Sequence, residues 1–88
     1  MAKIRQLESF RKDYGRLPDE IRRRVDKQLK HLFENPSHPS LRLKRLQGTD
    51  RFEIRISRGY RLTFRFYDQI LELRRVGTHD LLKKEGIA

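Results

Sequence analysis

Apolar residues recur at helical spacing through the first third of the chain, in two runs separated by "GRLP". The first run repeats every three or four positions, which predicts a helix with a single apolar stripe. Gly15 and Pro18 interrupt this pattern and are expected to end the helix. The apolar positions of the first run are Leu7, Phe10, Tyr14 and Leu17.

The second run predicts the longer helix. Pro18 suits the first position of a helix, and Asp19 and Glu20 complement the helix dipole there. The helix should end before Pro36, because a proline disfavours helical geometry in the residue that precedes it. Its apolar face consists of Ile21, Val25, Leu29, Leu32 and Phe33.

A different period follows in the stretch "FEIRISRGYRLTF", where apolar and polar residues alternate on both sides of a glycine. This alternation predicts a hairpin of two strands, each with one apolar face. The apolar faces share one side only if Ile56 lies opposite Tyr60, which requires a loop at 57–59 with Gly59 in the left-handed conformation. The resulting pairs are Arg55 with Arg61, Glu53 with Thr63 and Arg51 with Arg65.

Three further strands are indicated less directly. A second hairpin is predicted at 68–69, a first strand within 41–46, and a weakly supported short strand near Ile4. In the second hairpin the expected pairs are Leu71 with Phe66, Glu72 with Arg65, Leu73 with Phe64 and Arg74 with Thr63.

These elements predict an α+β protein. We expect an N-terminal helical hairpin packed on one face of a twisted, mainly antiparallel sheet of three to four strands. The chain has 88 residues, so a single domain covering 1–88 is expected. It contains no cysteine, which excludes disulfides and thiolate zinc sites.

The sheet face turned away from the apolar side repeats arginine, although like charges opposite each other destabilise a sheet. The chain carries 22 Lys and Arg against 12 acidic residues, a net charge of +10. Such an excess favours a polyanionic partner, most often nucleic acid, over a simply solvated face, an anionic membrane or an acidic protein. The face collects Arg51, Arg55, Arg61, Arg65 and Arg74, opposed by Glu53 and Glu72.

Other classes of protein are disfavoured by what the sequence lacks. Its longest apolar run is too short to span a bilayer, and "MAKIRQLESF" has no apolar core of a secretion signal, so a cytoplasmic protein is expected. No metal-ligand spacing, phosphate-binding glycine loop or serine nucleophile motif is recognisable. We therefore expect no metal and no cofactor.

The basic face suits cleavage of RNA without a metal. This reaction needs a base for the 2′-hydroxyl, an acid for the leaving oxygen and cations around the phosphorane. The base and acid candidates are Glu53, which lies among the arginines, and His79, which follows the last strand after Gly77. His38 is an outside candidate, and His31 is expected at the surface.

Four segments of the chain, read in order, resemble the RelE/ParE superfamily of toxins of type II toxin–antitoxin systems. They are "RLPDEIRRRV", "LFENPSHPSLRLKRLQG", "FEIRISRGYRLTF" and "LELRRVGTHD", and the resemblance runs from about Phe10 to Asp80. It implies a helical hairpin on a twisted antiparallel sheet. RelE-like members are ribosome-dependent endoribonucleases that cut messenger RNA by attack of the 2′-hydroxyl, whereas ParE-like members poison DNA gyrase. An antitoxin neutralises both.

Carried over by motif, the resemblance assigns roles to individual residues. Arg55 and Arg61 would hold the scissile phosphate, His79 would act as general acid or base, and Glu53 would be its partner. YafQ-like members carry a histidine near the position of Arg55, and an aromatic residue often follows the C-terminal site; this chain lacks both. The expected nucleic-acid-binding residues are Lys44, Arg45, Arg51, Arg65 and Arg74.

The resemblance leaves three functional hypotheses. The first is a toxin that inhibits translation by cutting messenger RNA, with the ribosome, the message and a cognate antitoxin as partners. The second is a ParE-like gyrase inhibitor, in which His79 has no catalytic role. The third is a nucleic-acid-binding relative with weak or no activity, which the missing C-terminal aromatic residue favours slightly.

Overall fold

A computed structural model of the chain describes residues 3–78 and residue 80. Two helices lie against one five-stranded sheet with strand order β1-β5-β4-β3-β2. The helices are α1 (Glu8–Gly15) and α2 (Asp19–Glu34), and a 3-10 turn spans Pro39–Leu41. The strands are β1 (Lys3–Gln6), β2 (Lys44–Arg45), β3 (Arg51–Arg55), β4 (Tyr60–Tyr67) and β5 (Ile70–Thr78).

The predicted α+β class and N-terminal helical hairpin are confirmed, but the expected strand count of three to four was wrong. The short strand near Ile4 forms β1 and pairs with β5 in parallel, so the sheet is mixed. The strand predicted within 41–46 is reduced to Lys44–Arg45, because Leu41 ends a 3-10 turn. Strands this short carry too few residues for a reliable alternating pattern.

Both helices begin and end near the predicted signals. Pro18 lies directly before α2 rather than at its first position, the first turn carries Asp19 and Glu20 as predicted, and the helix ends at Glu34. The apolar stripes of the two helices bury Phe10, Val25 and Leu32 against the sheet. Within the described ranges 3–78 and 80, neither helix has the length and apolarity needed to cross a bilayer.

The core lies between the helices and the apolar face of the sheet. Its sheet side is supplied by alternate residues of three neighbouring strands, as the alternating pattern predicts. Two large apolar side chains near the edges of this face, Ile4 and Phe66, remain exposed. The buried sheet residues are Ile54, Leu62, Phe64, Leu71, Leu73 and Val76.

The register of the first hairpin is confirmed. Arg55 lies opposite Arg61, Glu53 opposite Thr63 and Arg51 opposite Arg65. The expected left-handed conformation of Gly59 was wrong, since this glycine does not have a positive φ. The loop instead closes through short-range backbone bonds, including Ile56 N–H to the Tyr60 carbonyl at 3.0 Å.

The second hairpin turns where it was predicted, and its turn is strained. Asp68 and Gln69 both have positive φ, at 48° and 65°, a conformation that favours glycine or asparagine. Beyond the turn, Phe66 pairs with Leu71 and Arg65 with Glu72, as predicted.

One pairing of this hairpin was predicted wrongly, because β5 contains a bulge. Thr63 lies opposite Arg75 rather than Arg74, and Arg74 is the extra residue. Without the bulge, Arg75 would face the core opposite Leu62 and Val76 would face outwards. The bulge keeps Val76 in the core, where it is almost completely buried.

The first helix covers the part of β5 that β1 leaves unpaired, since β1 pairs only as far as Leu73. The Ser9 hydroxyl donates to the Arg74 carbonyl at 2.8 Å. The Asp13 carboxylate accepts the backbone N–H of Val76 at 3.2 Å and two bonds from the Arg75 guanidinium, at 2.7 and 3.1 Å. These bonds satisfy backbone groups that a free sheet edge would expose.

We expect Asp13→Asn to lower the free energy of unfolding by about 2 kcal/mol, because it removes a charged acceptor from the partly buried Arg75. Urea unfolding monitored by circular dichroism measures the change. Glu34→Gln is the control: it also removes one carboxylate charge, at an exposed helix position without an ion pair among the described residues, and it should change stability by less than about 0.5 kcal/mol. Equal effects of the two substitutions would contradict the role given to Asp13.

Candidate nucleic-acid interface

The polar face of the sheet is less open than a row of arginines implies. Its middle is occupied by Glu53, Thr63 and Glu72, which are 6%, 0% and 4% exposed. Buried carboxylates require partners, because an unpaired charge away from water is costly. Some of the cations around Glu53 and Glu72 therefore neutralise these carboxylates, and the others remain available to a ligand.

Glu72 is the centre of a neutralised cluster. It accepts from the Arg74 guanidinium at 2.8 Å and the Tyr67 hydroxyl at 3.1 Å, and it lies 3.3 Å from Nε of Arg65. Burial by itself would raise the pKa of Glu72, but the bonds from Arg74 and Tyr67, together with the charge of Arg65, lower it. The carboxylate is thus held in its ionised form.

Arg65 is tied into the same cluster from several sides. Its guanidinium lies over the ring of Tyr67, 4.2 Å from the centroid, and 3.4 Å from the carboxylate of Asp50. Burial would lower the pKa of Arg65, but the bonds with Tyr67 and Asp50 and the charge of Glu72 raise it. Arg65 and Arg74, both expected to bind nucleic acid, therefore have acidic partners within the protein.

Glu53, the base candidate on this face, is buried and paired. Its carboxylate lies 3.1 Å from the ammonium of Lys44, which is itself largely exposed. Burial and this ion pair together restrict the access of a substrate to the carboxylate of Glu53. Lys44 and its neighbour Arg45, another predicted nucleic-acid-binding residue, lie on the edge strand β2, where Arg45 donates to the Thr49 carbonyl at 2.8 Å.

Arg61 is engaged with its own hairpin. One terminal nitrogen of its guanidinium donates to the carbonyls of Ser57, Tyr60 and Arg58 at 2.7, 2.9 and 3.2 Å. These bonds turn the side chain over the loop, which reduces its repulsion with Arg55 directly opposite. The sequence does not indicate this arrangement, because it predicts only that the two arginines are neighbours.

Arg55 remains without an acidic partner among the described residues. The charge of Arg42 lowers its pKa, and partial burial and the charges of Arg61 and Arg58 lower it further, although arginine stays protonated at neutral pH. Arg42 has a left-handed backbone with φ of 46°, unusual for a non-glycine residue. Arg55 is thus the centre of a cationic cluster.

Arg51 is also half-buried, but unlike Arg55 it has an interaction partner within the protein.

Sequence analysis missed a groove beside this cluster, with a volume of about 810 Å³. We call it the α2 groove, because α2 forms one wall and the end of β3 with the 57–59 loop forms the other. Its cations include Arg23, Arg24 and Lys27 on the helix, with Arg55 and Arg58 opposite. The helical residues recur at positions 20, 23, 24, 27 and 31, which is the spacing of one helix face.

Two histidines stack at one end of the α2 groove. The rings of His31 and His38 lie 3.9 Å apart between centroids and 22° from parallel. Nδ1 of His38 accepts the Ser40 N–H at 3.2 Å and lies 2.8 Å from the Ser40 hydroxyl. His31 was expected at the surface, but it is half-buried in this contact.

Gln28 fixes the two walls of the α2 groove to each other. Its side chain is buried, and its amide nitrogen donates to the carbonyl of Arg55 at 2.7 Å and of Ser40 at 3.2 Å. The sequence gave no signal for this role of Gln28 beyond its position between Val25 and Leu32 on the inner face of α2.

His79, the proposed acid or base, lies outside the described residues, so the structure does not place it. Thr78, which precedes it in the sequence, pairs with Tyr60 at the end of β4 that also carries Arg61. The role of His79 therefore rests on the sequence motif "VGTHD" alone.

The geometry agrees with a known family. A family model described as the ParE toxin of the type II toxin–antitoxin system parDE matches residues 4–80. The chain belongs to this family, within the RelE/ParE superfamily that its motifs resemble. No curated protein matches it in sequence.

Solved structures of similar fold come from bacteria and an archaeon. Escherichia coli YafQ matches with a TM-score of 0.74 at 21% identity, covering 90% of this chain and 94% of that one. The RelB–RelE antitoxin–toxin complex of Methanococcus jannaschii matches with 0.74 at 20% identity, covering 92% and 96%. The intact Escherichia coli RelBE complex matches with 0.70 at 25% identity, covering 85% and 93%.

We expect Gln28→Met to destabilise the protein by about 1–3 kcal/mol, because the shape is kept while the carbonyls of Arg55 and Ser40 lose their donor. The free energy of unfolding in urea provides the measurement. Gln6→Met, at an exposed position of β1, should stay within about 0.5 kcal/mol of the original protein. A neutral Gln28→Met would mean that the amide does not hold the groove together.

Proposed function

We propose that this type II toxin inhibits translation by cutting messenger RNA, on the ribosome, through attack of the 2′-hydroxyl on the adjacent phosphate. The observation that carries the proposal is Arg55, a half-buried guanidinium in a cationic cluster without an acidic partner among residues 3–78 and 80. The phosphate gains negative charge in the transition state. This charge relieves the repulsion between the cations around Arg55, and the cations in turn stabilise the transition state.

The proposed division of labour follows the contacts. Arg55 holds the scissile phosphate, and Arg61 keeps the 57–59 loop in place beside it through its carbonyl bonds. His79 transfers the proton as general acid or base. Glu53 is the proposed partner of His79, and a substrate must reach it beside Lys44, with which it is paired at 3.1 Å.

The expected nucleic-acid-binding residues divide into two groups. Lys44 and Arg45 lie at the exposed edge of the sheet, where Arg45 is available to the phosphate backbone outside the cleavage position and Lys44 is shared with Glu53 at 3.1 Å. Arg65 and Arg74 are neutralised by Glu72 and Asp50, so we propose that their first role is to keep those carboxylates from repelling RNA. Arg51 lies opposite Arg65 in the sheet and extends this surface.

We also propose a cognate antitoxin as the partner of this chain. Solved complexes of similar fold include RelB with RelE and DinJ with YafQ, each an antitoxin–toxin pair. The net charge of +10 favours an acidic antitoxin segment that associates rapidly at low salt.

Inhibition of DNA gyrase is the second candidate, and the family model favours it because its description is that of ParE. Controlled expression in bacteria separates the two functions. Primer extension on a translated message should find cuts within codons if the nuclease proposal is correct. Intact messages together with damaged DNA would establish the gyrase function instead.

Arg55→Gln should lower the rate of message cleavage by about 100- to 1000-fold, the cost of removing one donor to a developing oxyanion. Primer extension after induction gives the rate, and urea unfolding confirms that the variant is folded. Arg11→Gln removes the same charge from an exposed position of α1 and should cleave normally. If the two variants cleave equally, Arg55 is not part of the site.

His79→Gln should lower cleavage by about 100-fold or more while RNA binding is retained, as expected for the loss of an acid–base group. Cleavage of a short message on purified ribosomes and binding of an uncleavable copy by the free protein are measured on the same preparation. Full activity of this variant would exclude the role given to His79.

A further inference from the structure

The α2 groove has an excess of positive charge that the residues described by the structure do not neutralise. Its carboxylate is Glu20, which lies 3.5 Å from Arg24. Arg23, Lys27, Arg55 and Arg58 form no ion pair within the described part of the chain. Two walls of such cations facing one cavity attract an anionic ligand.

The walls are held in place before any ligand binds. Gln28 joins α2 to the Arg55 carbonyl at 2.7 Å and to the Ser40 carbonyl at 3.2 Å. Ser40 in turn contacts His38, and the ring of His38 stacks on that of His31, which belongs to α2. A cleft whose opposite sides are joined by a buried amide needs little reorganisation when a ligand enters.

In this stack, His31 offers an aromatic surface rather than an additional cation. Burial lowers the pKa of His31, and the charges of His38 and Lys27 lower it further, so its ring is neutral at neutral pH. A flat neutral ring beside a row of cations is the combination that binds single-stranded nucleic acid, with bases on rings and phosphates on arginine and lysine.

The lining favours a nucleic acid over an acidic peptide. Peptide helices and strands anchor themselves by apolar side chains in apolar pockets. Among residues 3–78 and 80, the aliphatic residue that lines the α2 groove is Ile56, which is 4% exposed and belongs to the core. Among the described residues, the groove therefore offers an acidic peptide many cations but few aliphatic side chains against which to anchor its own.

The α2 groove also adjoins the proposed cleavage site, since Arg55 belongs to both. We propose that the groove binds the single-stranded RNA next to the scissile phosphate, with Arg23, Lys27 and Arg58 on phosphates and the His31–His38 stack on a base. This assignment rests on the nuclease function proposed above and adds a second binding subsite to it.

Binding of an uncleavable RNA tests the groove separately from catalysis. A fluorescent 2′-O-methyl oligonucleotide of about eight nucleotides lacks the attacking hydroxyl and matches the length that small single-strand sites cover. Lys27→Gln/Arg58→Gln, one change on each wall, should weaken binding at least tenfold and reduce the salt slope by about 1.4. Arg11→Gln/Lys12→Gln removes equal charge from α1 outside the groove and should change affinity less than threefold.

Two further ligands identify what the groove recognises. An abasic oligonucleotide of equal charge should bind about tenfold more weakly than the RNA, and His31→Ala should remove this difference because the base has lost its ring. A polyglutamate peptide of equal charge should compete at least tenfold less well than the RNA. Equal competition would overturn the assignment to RNA in favour of an acidic protein.

The outcomes separate this inference from the proposed function. Equal RNA affinity of the groove variant and the α1 control, with cleavage still abolished by Arg55→Gln, overturns the groove subsite alone. Intact messages in cells, with RNA binding still dependent on Lys27 and Arg58, overturn the nuclease function and leave an RNA-binding groove.

Discussion

The single extra residue in β5 is the constraint on which the arrangement of this protein depends. By inserting Arg74 into the strand, the chain returns Val76 to the core and leaves Arg75 at the edge of the sheet. There Arg75 and the backbone of Val76 both bind the carboxylate of Asp13. The helix α1 is thereby fixed along β5 where β1 ends, and the C-terminal part of β5 is aligned with the start of β4.

Charge is distributed unevenly over the surface that results. Like-charged arginines do lie opposite each other on β3 and β4, but most of them are relieved by the protein itself. Arg65 and Arg74 bind Glu72, and Arg61 bends over the carbonyls of its own loop. The repulsion that remains is concentrated around Arg55, so the strongest anion-binding potential lies at one end of the sheet rather than across its whole face.

The same end of the sheet opens into the α2 groove, and a buried amide connects the two. Gln28 binds the carbonyl of Arg55, so any shift of α2 is transmitted to the backbone that carries this arginine. The proposed cleavage position and the groove therefore form one preorganised surface, whose parts come from α2, the 3-10 turn and the first hairpin. A strand of RNA bound in the groove would place its phosphate against Arg55 without further rearrangement.

The sequence by itself determined the two helices, the first hairpin and its register, because each follows from a local period of apolar residues such as Phe52 and Ile54. The spacing of the apolar residues in β5 also indicates the bulge. Leu71 and Leu73 are two positions apart but Leu73 and Val76 are three apart, and a strict alternation of faces does not allow for this extra residue. Only the tertiary structure decided which arginines are neutralised and where the groove lies. These outcomes depend on contacts between residues far apart in the chain, such as Asp13 with Arg75 and Gln28 with Arg55, and no local pattern encodes such pairs.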